Sequence, residues 1–344
     1  MSMFETSGSA CATLPQTIGL LGGGVIGGGW AARFILNGVD VRLYDPAPNA
    51  VEHVQECLQK ARRAFRMLTQ VPLPAEGSLT VVGSIAEAVH DVEFVQENAP
   101  ERLELKQQLL ANACRAAAPE TMICSSTSML QPSLLQVQMP RPERLLVAHP
   151  FHPVYLVPLV ELCAGERTAP EMLSRAAEMF RALGMHPLVV RKEVRGFIAN
   201  RLQTAAWREA LWLVHDGLAT VQEIDDAVRY SFGLRRAVLG PIRTDFVGSG
   251  QLSVRAFLEK WGPPSKEPSR IGSMPEYNDA FLDMLTEQAD AQASAENMTV
   301  SEYQTKLDDG LVGVLQGLRS QEWGAGETLA RWENSLRDRD RQCR

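Results

Sequence analysis

Residues 17–45 constrain the fold of this chain more than any other stretch. Thr17–Leu21 (TIGLL) is a short apolar run, of the kind a strand buried on both faces requires. It runs into Gly22-Gly23-Gly24-Val25-Ile26-Gly27, then a helical pattern over Ile26–Asn37 stopped by Gly38, then a second strand pattern, Val39–Asp45. Each spaced glycine has a task. Gly22 permits the tight turn, Gly24 lets the backbone approach a pyrophosphate, and Gly27 lets the helix pack close to the strand. A phosphate placed there meets the unpaired N–H groups and the positive end of the helix. The unit therefore reads as a dinucleotide site lined by Gly22, Gly24, Val25, Ile26 and Gly27. Asp45 closes the second strand. A carboxylate there accepts bonds from ribose hydroxyls and repels a 2′-phosphate, which favours NAD over NADP. A helix-capping Asp beside a structural glycine turn is the plainer alternative.

The rest of the chain supplies a sheet for this unit. Leu79–Val82, Val92–Gln96, Thr121–Ser125 and Leu145–Ala148 read as strands, and Ala50–Leu68 and Leu103–Ala117 as helices. Such alternation implies a parallel sheet covered on both faces. From Gly196 the pattern is helical, with a Pro-, Gly- and Ser-rich loop at 262–275 and a long helix over Val300–Arg319. The expected fold class is α/β: a Rossmann-type doubly wound parallel sheet over residues 1–194, then an all-α substrate and dimerisation domain over 195–344. With 344 residues, 45% of them hydrophobic, the chain can bury two such cores.

A net charge of -7 argues against a broad nucleic-acid footprint. No window approaches the roughly 18 apolar residues of a membrane span. Met1–Gln16 lacks the pattern of a secretory signal and reads as a frayed extension. The six cysteines form no CxxC pair, so no metal site is expected and they read as reduced thiols of a cytoplasmic protein.

A second constellation lies in His149-Pro150-Phe151-His152-Pro153-Val154-Tyr155-Leu156-Val157-Pro158-Leu159-Val160-Glu161. Oxidising an alcohol needs a base for the hydroxyl proton while hydride leaves the carbon. A histidine tuned by a carboxylate does this near neutral pH. A buried histidine bonded to backbone accounts for the same residues equally well.

Four motifs in order resemble the 3-hydroxyacyl-CoA dehydrogenase superfamily over roughly residues 16–260. They are the glycine unit, Cys124-Ser125-Ser126-Thr127-Ser128, the His149–Glu161 segment and Gly196-Phe197-Ile198-Ala199-Asn200-Arg201-Leu202. Within the superfamily the wording is most like the carnitine 3-dehydrogenase branch, with Trp207-Arg208-Glu209-Ala210-Leu211 and Phe232-Gly233-Leu234-Arg235. The lambda-crystallin/L-gulonate 3-dehydrogenase branch is next. The resemblance implies that His149 is the general base and Glu161 its orienting partner. Ser128 and Asn200 would hydrogen-bond the reacting oxygen, and Glu101 and Lys106 would flank the cofactor. Without it, Lys106 reads as a solvated helix charge. His152 stands where the family usually carries Asn, and Ser126 where acyl-CoA enzymes carry Asn.

The resemblance further implies a homodimer acting on a small-molecule 3-hydroxy acid. Leu311–Leu318 offers apolar positions for a dimer contact or for the chain's own core. A CoA platform would draw on Lys60, Arg62, Arg63 and Arg66 of a helix that otherwise reads as a solvated basic face. Carnitine needs a cation for its carboxylate, from Arg201 or Arg208, and aromatic faces for its trimethylammonium. Of Tyr155, Phe197, Trp207, Trp212, Tyr230, Phe232 and Phe246, the two that flank Asn200 are chosen, Phe197 and Trp207. His152 joins them as a candidate substrate contact. The expected function is NAD-linked oxidation of a secondary 3-hydroxyl, with carnitine first, 3-hydroxyacyl-CoA or gulonate-type acids second and a non-catalytic NAD-binding structural protein last.

Overall fold

The first glycine unit folds as a strand, turn, helix and strand: β1 (Thr17–Leu21), α1 (Val25–Ile35) and β2 (Asp40–Tyr44). They belong to a computed structural model that describes residues 14–242, 244, 255, 259–260, 275–276, 278–296 and 299–342. The loop at 262–274, Phe246, Cys11 and Cys343 lie outside the described residues. Ile18, Leu20 and Leu21 of β1 have no exposed surface, as a strand covered on both faces demands. A Cβ on Gly27 would stand 1.9 Å from the carbonyl oxygen of Gly22, so only glycine lets α1 start this close to β1.

Further along lie α2 (Ala50–Leu68), β3 (Leu79–Val81), α3 (Ile85–Val89), β4 (Phe94–Glu97), α4 (Leu103–Ala116), β5 (Met122–Ser125), α5 (Pro132–Leu135) and β6 (Leu145–Pro150). After them come β7 (Leu159–Ala164), α6 (Pro170–Ala182) and β8 (His186–Val189). The eight strands form one sheet in the order β3-β2-β1-β4-β5-β6-β7-β8. Its first six follow the dinucleotide-binding order, and all are parallel. β7 then returns antiparallel to β6, and β8 runs parallel to β7. Neither β7 nor β8 has an uninterrupted apolar pattern. Glu161 sits inside the one, His186 and Pro187 inside the other.

The core is aromatic where α1 and α6 meet the sheet. Trp30 and Phe180 stand 5.3 Å apart, and Phe94 meets Phe180 edge-on at 6.0 Å. On α2 the residues Val54, Leu58, Ala61, Phe65 and Leu68 recur at helical spacing and are buried, leaving its basic residues on the other face.

Contacts divide the chain into two units, Met1–Ile198 with Leu307–Arg344, and Ala199–Lys306. The first thus includes most of α11 (Val300–Ser320) and all of α12 (Ala325–Gln342). Their apolar side chains finish its core. Trp332 packs on Phe65 at 5.3 Å and donates to Asn37 at 2.9 Å, and Val312 and Leu315 are buried with it. The Leu311–Leu318 stripe therefore turns inward. The second unit holds α7 (Ala199–His215), α8 (Val221–Ala227), α9 (Gly233–Leu239) and α10 (Asp279–Glu296). A reciprocal Thr220–Glu223 cap starts α8, and the backbone of Val221 donates to Gln288 of α10 at 2.9 Å. Among the described residues no helix is long and apolar enough to cross a membrane.

Candidate active site

The glycine turn has the geometry a dinucleotide needs. Gly22 has φ +99°, a conformation open to glycine at no steric cost, and its N–H donates to the carbonyl of Tyr44 at 2.9 Å. Asp45 accepts from the N–H of Gly23 at 2.6 Å and of Ala47 at 2.7 Å. It ties the turn rather than capping a helix, and an ionised carboxylate keeps further lone pairs for ribose hydroxyls. A Cβ on Gly24 would meet no protein atom within 4 Å, so the turn faces open space. Val25 is exposed beside that space, Ile26 is half-buried, and no acidic side chain in the first turn of α1 opposes an arriving phosphate.

A buried ionic cluster lies at the ends of β4 and β5. Lys106 is 1% exposed and donates to Glu97 and to the carbonyl of Ala99, each at 2.8 Å. Ser125 donates to the other oxygen of Glu97. Glu101 stands 3.6 Å from the Lys106 ammonium and accepts from the Thr127 hydroxyl and from the N–H groups of Ser128 (3.1 Å) and Met129 (2.9 Å). Lys106 is thus no solvated helix charge; it orders the segment that carries Ser128. Glu97 escaped the sequence reading. Its signal was a carboxylate ending an apolar strand inside a parallel sheet, where an unpaired charge is too costly to persist. Ser126 is equally engaged: it accepts from Trp30 Nε1 (2.9 Å) and Gln96 Nε2 (2.7 Å), and donates to Asn98 (2.7 Å).

β6 and β7 bring His149 and Glu161 together. The antiparallel register places the two residues directly opposite, although twelve positions separate them in sequence. His149 Nδ1 lies 2.9 Å from Glu161 Oε2, with both side chains buried. The other carboxylate oxygen accepts from the N–H of Ile198 at 2.9 Å. A carboxylate so held accepts the hydrogen bond of Nδ1–H and leaves the Nε2 lone pair for a substrate. Gly196 and Phe197 make this possible by consecutive positive φ values, +77° and +45°, which bend the chain toward Glu161. Phe197 has no exposed surface and its ring lies 5.6 Å from the imidazole, with Phe151 edge-on at 4.7 Å. It braces the histidine. His152 reaches the surface. Partial burial pushes its imidazole below the ordinary range, with Asp308 acting against that, so the ring is neutral at pH 7.

In the second unit, Asn200 and Trp207 line one wall of an open groove of about 520 Å³. Both lie on α7, and Trp207 is 59% exposed.

The chain matches two family models, the 3-hydroxyacyl-CoA dehydrogenase NAD-binding domain over residues 17–194 and the C-terminal domain of the same family over residues 196–275. It is 45% identical over 312 residues to an L-carnitine dehydrogenase of Mesorhizobium japonicum, covering 89% of this chain and 85% of the relative. An L-carnitine dehydrogenase of Pseudomonas aeruginosa is 45% identical over 304 residues, covering 88% and 94%. Among solved structures, the fold resembles 5-formyl-3-hydroxy-2-methylpyridine 4-carboxylic acid 5-dehydrogenase, an NAD+-dependent dismutase, with TM-score 0.71 and 26% identity over 89% of this chain and 99% of that one.

Proposed function

This chain belongs to the 3-hydroxyacyl-CoA dehydrogenase family and is an NAD-dependent oxidoreductase, and from that premise we propose that it oxidises L-carnitine to 3-dehydrocarnitine with His149 as general base. The observation that carries the base assignment is the buried His149–Glu161 pair, whose geometry leaves Nε2 free to accept a proton. Bound NAD supplies the hydride acceptor. His149 takes the hydroxyl proton as the C–H bond breaks, so the alcohol loses one proton and one hydride. Glu161 holds the Nδ1 proton and offsets the imidazolium charge that develops. Ser128, fixed through Glu101, donates a hydrogen bond to the oxygen as it becomes a carbonyl.

Carnitine is favoured over an acyl-CoA by the names of the relatives and by the state of α2. Arg62 binds Glu76 with two nitrogens, and Arg63 binds Asp309 in the same manner. Two of the three guanidinium groups expected at a CoA platform thus already hold carboxylates of the chain. The enzyme acts as a homodimer in the cytoplasm. Large apolar side chains on the second unit, among them Leu202, Tyr230, Leu234 and Ile242, are exposed and suit a contact between copies. Cys57, Cys114, Cys124 and Cys163 are free thiols.

A substrate panel tests this. Purified protein with NAD is given L-carnitine, D-carnitine, 3-hydroxybutyrate, 3-hydroxybutyryl-CoA and L-gulonate, and NADH absorbance is followed. L-carnitine is expected to give a kcat/KM more than about tenfold above every other member, a difference of about 1.4 kcal/mol. Turnover of another member alone would refute the carnitine reading. Turnover of none would support a non-catalytic NAD-binding protein.

A further inference from the structure

Strand side chains alternate between faces, so consecutive residues of β4 serve opposite sides of the sheet. Glu97 faces the Lys106 cluster, and Gln96 faces α1. The Gln96 amide has no exposed surface, and its Oε1 has no hydrogen-bond partner among the described residues. The proposed proton transfer does not call on it. Phe94 shares its face and packs on Phe34 and Phe180, so apolar neighbours surround the position. A leucine or methionine there would avoid the desolvation that a buried amide incurs. The amide is kept for what its donors hold.

Nε2 of Gln96 donates to Ser126 Oγ at 2.7 Å and to the carbonyl of Ala148 at 3.4 Å. A carbonyl only accepts, so the Ala148 contact decides which end of the amide points this way. The same logic orients Asn98. Its Nδ2 donates to the Gln96 carbonyl at 3.1 Å, and its Oδ1 accepts from the Ser126 hydroxyl at 2.7 Å. The indole N–H of Trp30, on the cofactor helix, is the second donor to Ser126 at 2.9 Å. The hydroxyl thus uses its one proton and both lone pairs and has no freedom to rotate. Ser126 is a fixed post, and Gln96 is the arm that reaches from it to β6.

Ala148 immediately precedes His149 and stands opposite Leu162, as His149 stands opposite Glu161. We propose that Gln96 is a positioning residue for the base: its amide ties the Ala148 carbonyl to Ser126 and so sets the distance between His149 and the segment that carries Ser128. This rests on the proposed reaction, in which His149 and Ser128 meet the same oxygen. Glu161 fixes how the imidazole is turned, and Gln96 fixes where its backbone lies. A displacement of about 1 Å at a reacting group costs on the order of 100-fold in rate, which gives one buried amide its leverage.

Gln96→Met keeps the length of the side chain and removes the donor. On the preferred substrate of the panel, kcat should fall roughly 5–50-fold, with KM within about threefold and the NAD dissociation constant within about twofold of wild type. Because Gln96 acts through His149, the same change in a His149→Gln background should cost less than about twofold. The imidazole NMR signals of His149, assigned with His149→Gln, should shift in Gln96→Met, while those of His215 in the second unit stay. Ser126→Cys keeps the shape with a weaker acceptor, should show the same pattern in smaller measure, and reads the tie if Gln96→Met does not fold. Unchanged kcat with unchanged His149 signals overturns the assignment. So do equal losses in both backgrounds, or a fall in kcat matched by weaker NAD binding and a lower Tm, which make Gln96 a general packing residue. A wild-type enzyme inactive across the panel would refute the proposed reaction. Shifted His149 signals in Gln96→Met would then still uphold the tie, and unshifted ones would overturn it.

Discussion

The two units handle polar and apolar surface in opposite ways. In the first, every charged group near the proposed chemistry is held by a neighbour: Lys106 by Glu97, His149 by Glu161, Glu161 by the backbone of Ile198. In the second, Leu202, Tyr230, Leu234 and Ile242 point outward, and Trp207 stands open on a groove. The difference teaches where each part of the function resides. The proton transfer proposed for His149 would depend on geometry that the first unit fixes internally. The proposed pairing with a second copy would use apolar side chains that the second unit leaves exposed.

Substitutions should therefore act on stability in the first unit and leave it nearly untouched in the second. The largest effect is expected at Lys106. Lys106→Met leaves Glu97 buried and unpaired and should cost about 3–5 kcal/mol in urea unfolding. Adding Glu97→Gln should return much of that loss, and a Lys106→Met protein as stable as wild type would break the comparison at its strongest point. Arg33 follows. It is 3% exposed and donates to the carbonyls of Val154 and Leu183, which ties the segment after His149 to the cofactor helix. Burial pushes its guanidinium down to about 9, so it is charged at pH 7. Arg33→Met should cost about 2–3 kcal/mol through the unsatisfied carbonyls and lower turnover more than NAD affinity.

A smaller, pH-dependent effect is expected at Asp308, which accepts from the Tyr155 hydroxyl at 2.7 Å. Burial raises its pKa above the ordinary range, with the Tyr155 hydrogen bond opposing. A carboxyl raised in the folded state contributes stability below its unfolded pKa and loses it as pH rises through the folded value. Asp308→Asn should thus compare best with wild type near pH 7 and lose that advantage toward pH 4, by about 1 kcal/mol at most. The opposite trend in thermal unfolding would contradict the buried assignment. The smallest effect belongs to the second unit. Tyr230→Ser should change unfolding free energy by less than about 0.5 kcal/mol while moving sedimentation toward monomer. A loss of several kcal/mol would show Tyr230 to be core.

What was legible in the sequence is what local physics dictates. The turn at Gly22–Gly27 needs positive φ and close helix packing, and those needs are written in consecutive residues. β1 is buried on both faces and so reads as an apolar run, while β2 is buried at alternate positions and reads as alternating Val and Leu among polar residues. The pairing of His149 with Glu161 was reachable only through the resemblance, because the antiparallel return of β7 that sets their register is a long-range event. Glu97 and Lys106 are nine positions apart on different elements, and burial alone makes them a pair. Phe197 was picked for its ring and its nearness to Asn200, yet the left-handed bend at Gly196 and Phe197 turns that ring under the imidazole. The Leu311–Leu318 stripe fits either a partner or a core, and Trp332 against Phe65 decides for the core.

The proposed base is His149, oriented by Glu161, in a site whose cofactor turn is independent of it. His149→Gln tests it most directly, with kcat on the preferred substrate and the NAD dissociation constant measured on the same preparation. With His149 as the base, kcat should fall by roughly 10²–10⁴-fold while NAD binds within about twofold of wild type. A His149→Gln enzyme that keeps wild-type turnover would contradict it.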